Sequence, residues 1–378
     1  MRWVQRLQSL GIADAFDLLV SAHPGVSNGL PEQAVIIGAT HIAEDVARTC
    51  SNCGIVIHGI FDDSPEYQGE NVAGYSVQPT RDLTYIGKHI PVILATHRAL
   101  GLTHRMREEG FIHVWPFPIL SLRWPNIFTS HIFYAGMHEN LISNATKLLQ
   151  FDEALADTLS RQTLDAVIAF RLTFDVSYLE PVLQPNAYFP TDIFSLGTAE
   201  SYVDGGAFTG DTIRRFLERA QNMYENIVAF EPSPGTYKEL AAAFANHSKI
   251  RCIQACLYSR DTELCFGGTD SRDATINENG HIKCPAMRID SLPESQDISL
   301  IKLNIEGSEA DALYGAQATL AKNTPKLAVA AYHRPQDLWQ LFEIIKEIQH
   351  DYRFYMRQHD GGIIETVLYG TTHRTGKK

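Results

Sequence analysis

Residues able to do chemistry gather in a few short stretches of the C-terminal half. The first is Tyr202-Val203-Asp204-Gly205-Gly206-Ala207-Phe208-Thr209-Gly210-Asp211-Thr212, in which an acid and two glycines precede a helical pattern. The second is Val228-Ala229-Phe230-Glu231-Pro232, an apolar run that ends in an acid. The third is Asn304-Ile305-Glu306-Gly307-Ser308-Glu309, with Tyr332-His333 further on. Its carboxylates, amide and imidazole are groups that accept, donate or orient a proton.

The first two stretches read as strand, glycine turn, helix and strand, with Glu231 placed as a ribose-gripping acid in a doubly wound nucleotide site. Three ligands compete for such a turn. A phosphate loop, G-x-x-x-x-G-K-[ST], matches Gly205 to Thr212 except that Asp211 replaces the lysine, and a carboxylate there repels phosphates. The dinucleotide pattern G-x-G-x-x-G needs a glycine at Ala207 or Phe208 and has neither. S-adenosylmethionine carries an ammonium, a sulfonium and a ribose but no phosphate, so it suits two acids beside a glycine turn. Its expected contacts are Asp204, Gly205, Gly206, Ala207, Gly210, Asp211, Thr212, Glu231, Pro232 and Ala255, the last at the tip of a third strand. A plain strand-to-helix turn without a ligand explains the same residues.

Methyl transfer is an in-line displacement, so alignment of the reacting atoms supplies much of the catalysis. A hydroxyl acceptor would be nearly unionised at neutral pH, and a base adds roughly 10²–10⁴-fold. His333 is the first candidate base, because it ends an apolar strand and titrates in the useful range. A histidine bonded to the sheet edge is the plain alternative. Glu306 and Glu309 come next, although Glu309 also suits a carboxylate at a helix N-terminus. Asn304 lacks proton-accepting capacity and is expected to hold cofactor or acceptor. No H-E-x-x-H or clustered aspartates occur, so no metal ligands are assigned and a metal requirement stays open.

The elements that must position these groups form an α/β domain over 191–378. Its strands are expected at Ile250–Cys256, Ser299–Gly307 and Leu327–His333. Helices are expected over Thr212–Ala220, 236–245, Ser308–Leu320 and 336–348. Tyr352–Gln358 and Ile363–Tyr369 read as a closing hairpin. Thr262–Gly268 and His281–Arg288 read as β additions around a polar loop, 269–280, placed to close over a ligand. Upstream, Met1–Leu19 has the pattern of an amphipathic helix and 1–30 ends in a linker. Residues 31–118 form a smaller Rossmann-like α/β unit, whose loop Gly38-Ala39-Thr40-His41-Ile42-Ala43 keeps only the first glycine of the dinucleotide pattern. Asp62 stands where a ribose acid would, and Asp62-Asp63-Ser64-Pro65 also suits a turn. Residues 119–190 read as a helical linker region, with helices over Tyr134–Gln150 and Phe151–Arg171.

The chain of 378 residues is long enough for two or three domains, and 44% hydrophobic content supports a substantial core. A formal charge of −12 argues against nucleic acid as the main partner. No apolar run approaches the roughly 20 residues that span a bilayer, so no stable membrane insertion is expected. Without a signal peptide pattern at its start, the chain reads as cytoplasmic. Six cysteines make no disulfide framework, and Cys50-x-x-Cys53 lacks the second pair of a zinc site.

Together these stretches resemble FkbM-type methyltransferases over roughly 191–370. The likeness rests on Val203–Thr212, Phe230-Glu231-Pro232, Ile301–Glu309 and Leu313-Tyr314-Gly315-Ala316, with Tyr332-His333 and the terminal hairpin. It implies a class I methyltransferase fold, a Rossmann-like seven-stranded sheet closed by an antiparallel hairpin. It also implies transfer of a methyl group from S-adenosylmethionine to a hydroxyl of a sugar or other natural product. The smaller N-terminal unit resembles an extension carried by some bacterial members. One departure stands out: the family usually has Asp where this chain has Asn304. A small-molecule or sugar acceptor is expected, its identity and the homo-oligomeric state being left open by the residues. The competing classes are a catalytically degenerate binding protein with an assembly or regulatory role, and an NAD-dependent enzyme using 38–43.

Overall fold

The computed structural model describes residues 1–267, 275–276 and 282–372, so the expected 269–280 loop lies largely outside the described residues. The chain divides into two compact units, one of residues 1–146, 163–183 and 360–364, the other of 147–162, 184–359 and 365–378. These units do not follow the divisions read from the sequence. No helix among the described residues is long and apolar enough to cross a membrane.

The first unit is built on four parallel strands in the spatial order Val56–Phe61, Gln33–Ile37, Val92–Leu94 and Val114–Pro116. A parallel sheet is covered on both faces, and Val35, Ile36, Ile93 and Leu94 are accordingly wholly buried. Helix His41–Asn52 buries Ile42, Ala43, Val46 and Ala47. The nucleotide-like features of this unit serve its own backbone. Gly38 has φ +110, and a side chain there would meet the Ala95 carbonyl oxygen at 2.6 Å. An oxygen of Asp62 accepts the Ser64 N–H at 2.8 Å, which makes the residue a turn former. The N-terminal stretch is not one helix: Trp3–Arg6 and a 3₁₀ turn, Leu7–Ser9, precede Ile12–Ala22. Gly11 caps the last of these, its N–H donating to the Asp14 carboxylate at 2.7 Å. The helical region is likewise cut into Met137–Ser143, Ala145–Ala154 and Thr158–Thr173. Asp157 opens the third helix by accepting the Ser160 N–H at 2.7 Å.

The second unit carries a seven-stranded sheet in the order Arg353–Gln358, Thr366–Thr371, Lys326–Ala330, Leu300–Leu303, Ser201–Gly205, Asn226–Phe230 and Ile250–Ile253. Thr366–Thr371 runs against both of its neighbours, and the remaining pairs are parallel. From Ser201–Gly205 the chain moves outward one way, then returns to lay Leu300–Leu303 on the other side. That reversal makes the carboxyl ends of these two strands the point where ligands bind in such sheets. Helix Asp211–Arg219 buries Ile213, Phe216 and Leu217, as its spacing predicts, and Phe216 stacks on Tyr202 with ring centroids 4.8 Å apart. Arg357, buried, joins the hairpin to Asp157 and Asp192 at 2.7 Å each.

Two expected elements are shorter than their patterns. The Ser308–Leu320 helix is really two, Glu309–Tyr314 and Gln317–Asn323. The Tyr258 carbonyl oxygen would lie 2.0 Å from a Cβ at Gly315, so the break is a close crossing of backbones that only glycine permits. The third strand ends at Ile253, because Cys256–Leu257 leaves to pair with Ile282–Met287 in a second, smaller sheet. Thr262–Gly267 pairs antiparallel with the same strand, close to the expected β additions.

Each unit holds a histidine whose pKa is lowered, His23 buried and His359 half-buried. Burial pushes His23 down to about 4 despite its 2.8 Å bond to the Thr173 carbonyl. Burial also pushes His359 down to about 4, although its ring sits 2.7 Å from the Gln184 carbonyl oxygen and 2.8 Å from the Tyr369 hydroxyl. An unfolded chain protonates both near the ordinary value, so it binds more protons than the native state as pH falls. The contribution of these two histidines is therefore expected to be fully present at pH 7 and to be lost from about pH 6.5 to about pH 4, each contributing on the order of 3 kcal/mol. Urea titrations across this range check it, and His359→Asn should flatten the slope in that window.

Candidate functional site

The site begins with two buried charges on adjacent strands. Asp204 and Lys302 are register partners, both essentially inaccessible, and Lys302 Nζ lies 2.9 Å from an Asp204 carboxylate oxygen. The same ammonium donates to the Gly205 and Gly206 carbonyls at 3.0 and 2.7 Å, and it sits 5.4 Å from the Tyr188 ring centre. Burial pushes the Asp204 carboxyl above the usual carboxylate range, although Lys302 pulls the other way. One cation thus fixes both the strand acid and the carbonyls of the glycine turn.

The turn itself is held by backbone crossing. Gly206 has φ +72, and a Cβ on it would stand 1.9 Å from the Asn304 carbonyl oxygen. Phe208, at φ +48, occupies a region that non-glycine residues enter at a cost. Its N–H donates to one Glu231 carboxylate oxygen at 3.0 Å, while Ser233 N–H donates to the other at 3.0 Å. Burial raises the Glu231 carboxyl, and these two donors oppose the shift. Each oxygen keeps further lone-pair capacity for a hydroxyl. Gly206, Phe208, Thr209 and Pro232 are half-buried, and Asp211 is exposed. The described turn therefore presents acids and no basic side chain of its own. That donor set fits an ammonium and ribose hydroxyls and disfavours phosphate.

Beside the turn, the end of Leu300–Leu303 opens into Asn304, Ile305, Glu306 and Gly307. The Asn304 amide nitrogen donates to the Tyr188 hydroxyl at 2.8 Å, and its oxygen accepts the Tyr332 hydroxyl at 3.2 Å. Tyr188 also donates to Glu365 at 3.4 Å. Glu306, at φ +54, has its side chain 28% exposed, with one carboxylate oxygen 3.5 Å from His333 Nε2. His333 Nδ1 lies 2.8 Å from Glu309, whose carboxylate also accepts the Ile305 N–H at 2.8 Å. Burial alone would lower the His333 pKa, but Glu309 and Glu306 outweigh it and raise it to about 9. The Glu309 carboxyl is correspondingly lowered, the imidazolium outweighing burial.

These placements revise several expectations. His333 is 1% exposed, its two ring nitrogens facing Glu309 and Glu306, and these carboxylates raise its pKa to about 9. Glu309 is wholly buried beside it and faces no solvent. Asp204, Ala207 and Ala255 have no accessible surface, and Gly205, Gly210 and Thr212 are buried. Gly206 and Pro232 are half-buried and Asp211 is exposed, while Glu231 is 8% exposed. Lys302 was missed, though a lysine inside Leu300–Leu303, opposite an acid inside Ser201–Gly205, is a legible signal. Tyr188, Tyr332 and Glu365 were missed as a group because they come from distant stretches.

Comparison with known proteins agrees with this geometry. Residues 204–359 match the sequence model of the methyltransferase FkbM domain, which bears out the resemblance seen in the sequence. Among solved structures, the methyltransferase FkbM from Methylobacillus flagellatus KT is similar at a TM-score of 0.74 and 21% identity, over 97% of this chain and 100% of that one. Aeropyrum pernix fibrillarin in complex with S-adenosyl-L-methionine overlaps at a TM-score of 0.30 and 9% identity, over 47% of this chain and 69% of that one. A search of curated proteins returned no match. Residues 204–359 are therefore similar in sequence to the methyltransferase FkbM domain, and the chain has an α/β methyltransferase-like fold.

Removing the buried cation should be costly. Lys302→Met leaves Asp204 buried without its partner, and a loss of about 3–5 kcal/mol is expected. Adding Asp204→Asn should recover part of that loss. Urea denaturation of the single and double variants measures both, and an unchanged midpoint in Lys302→Met would contradict this reading of the pair.

Proposed function

We propose that the second unit binds S-adenosylmethionine over Gly206–Asp211 and Glu231-Pro232 and methylates a hydroxyl of a small-molecule or sugar acceptor. The observation that carries this reading is the Glu231 carboxylate. It stands at a strand tip beside the topological reversal, braces the Phe208–Thr209 turn, and keeps hydrogen-bonding capacity for ribose hydroxyls. Bound there, S-adenosylmethionine supplies a methyl group on a sulfonium. Asp204 then acts through Lys302, which holds the turn carbonyls, rather than by touching the cofactor.

On the acceptor side, Asn304 is an orienting residue, its amide locked between Tyr188 and Tyr332. Glu306 is the proton acceptor in this proposal, being the half-exposed carboxylate of the turn at the end of Leu300–Leu303. Its carboxylate takes the hydroxyl proton as the acceptor oxygen becomes nucleophilic. His333 positions Glu306, its Nε2 lying 3.5 Å from a carboxylate oxygen. A binding-only protein is the second reading, favoured by Asn304, where the FkbM family usually has Asp.

Calorimetric titration with S-adenosylmethionine and S-adenosylhomocysteine tests the first step. Wild-type protein should bind both in the micromolar range, and Glu231→Ala should weaken binding at least about tenfold, the loss expected from hydrogen bonds to a charged group. ATP and NAD should show no comparable affinity. A folded wild-type protein that binds neither sulfonium nor thioether ligand would refute the proposal.

A further inference from the structure

Behind the acceptor-side turn lies a cluster that methyl transfer does not require. Glu309, His333 and Asp337 are 0%, 1% and 2% exposed, and one donor atom from each lies within 4.8 Å of the others. They come from three elements: the start of helix Glu309–Tyr314, the segment after strand Lys326–Ala330, and the first residue of helix Asp337–Ile348. We propose that these three residues bind one divalent first-row transition cation, which fastens the Ile305–Glu309 turn to the start of the last helix.

Four observations support this site. The cluster mixes one imidazole and two carboxylates, whereas Mg²⁺ and Ca²⁺ favour all-oxygen shells, so Mn²⁺, Fe²⁺ and Zn²⁺ fit better. The second oxygen of Glu309 is buried and has no hydrogen-bond partner, which is the vacancy a bound cation would fill. The carboxylates are already oriented by backbone donors: Ile305 N–H to Glu309 at 2.8 Å and Arg334 N–H to Asp337 at 2.7 Å. The far ring nitrogen of His333 faces Glu306 at 3.5 Å, the arrangement by which outer carboxylates steady metal-bound histidines. The site would then set the orientation of Glu306 from behind, through His333.

Metal analysis of the full chain, purified without a metal-affinity step, tests this directly. The wild type is expected to carry about one equivalent of Mn, Fe or Zn, or to take up one on refolding from urea in MnCl₂ or ZnCl₂ with a rise in Tm. Glu309→Gln and Asp337→Asn, each checked for folding by circular dichroism, should lower the content or the uptake at least about tenfold. A folded wild type that holds no metal and gains neither metal nor Tm on such refolding would overturn the site in favour of a plain imidazolium–carboxylate pair. Undiminished metal in both folded variants would overturn it as well. Metal content is read without cofactor or acceptor, so this outcome is independent of whether S-adenosylmethionine binds.

Discussion

A lysine ammonium buried between two central strands is the constraint on which the second unit depends. Taking Lys302 and Asp204 out of water costs several kcal/mol per ion, and only close pairing with additional hydrogen bonds offsets that. The Gly205 and Gly206 carbonyls provide those bonds. The turn that faces the ligand side is therefore also the turn that satisfies the buried cation. A sheet built with two apolar residues in these places would be easier to fold but would leave the turn unanchored.

Close backbone crossing does the rest of the positioning. The Asn304 carbonyl passes where a Gly206 side chain would be, so the glycine turn and the turn after Leu300–Leu303 are in direct contact. Any shift in one is felt by the other, because tightly packed groups lack room to relax. Glu231 braces the same turn from the next strand, and its bond to Phe208 holds a backbone conformation of limited intrinsic stability. Acids here act mainly on backbone and on one another.

Much of this was legible in the sequence, and the failures have physical causes. Apolar runs ending in acids located the strands, and the paired glycines located the turn. Periodicity could not show that the Ser308–Leu320 pattern breaks at Gly315, because the cause is the Tyr258 carbonyl, 57 residues earlier by the difference of their numbers. Nor could it show that Cys256 abandons its strand for a second sheet. His333 was placed at the carboxyl edge of the sheet, but its burial against Glu306 and Glu309 was not legible. Two carboxylates converge on one imidazole, and the sum of their fields is a tertiary property. Tyr188, Tyr332 and Glu365 meet around Asn304 for the same reason: only the fold brings them together.

The central claim is that the glycine turn braced by Lys302 and Glu231 is the cofactor site. A crystal structure of the protein grown with S-adenosylhomocysteine tests it most directly. The account predicts ligand density over Phe208–Gly210 with the ribose hydroxyls on the Glu231 carboxylate, and an intact Asp204–Lys302 pair beneath. Density at the Gly38–His41 loop of the first unit instead, or a ligand whose ribose avoids Glu231, would contradict it.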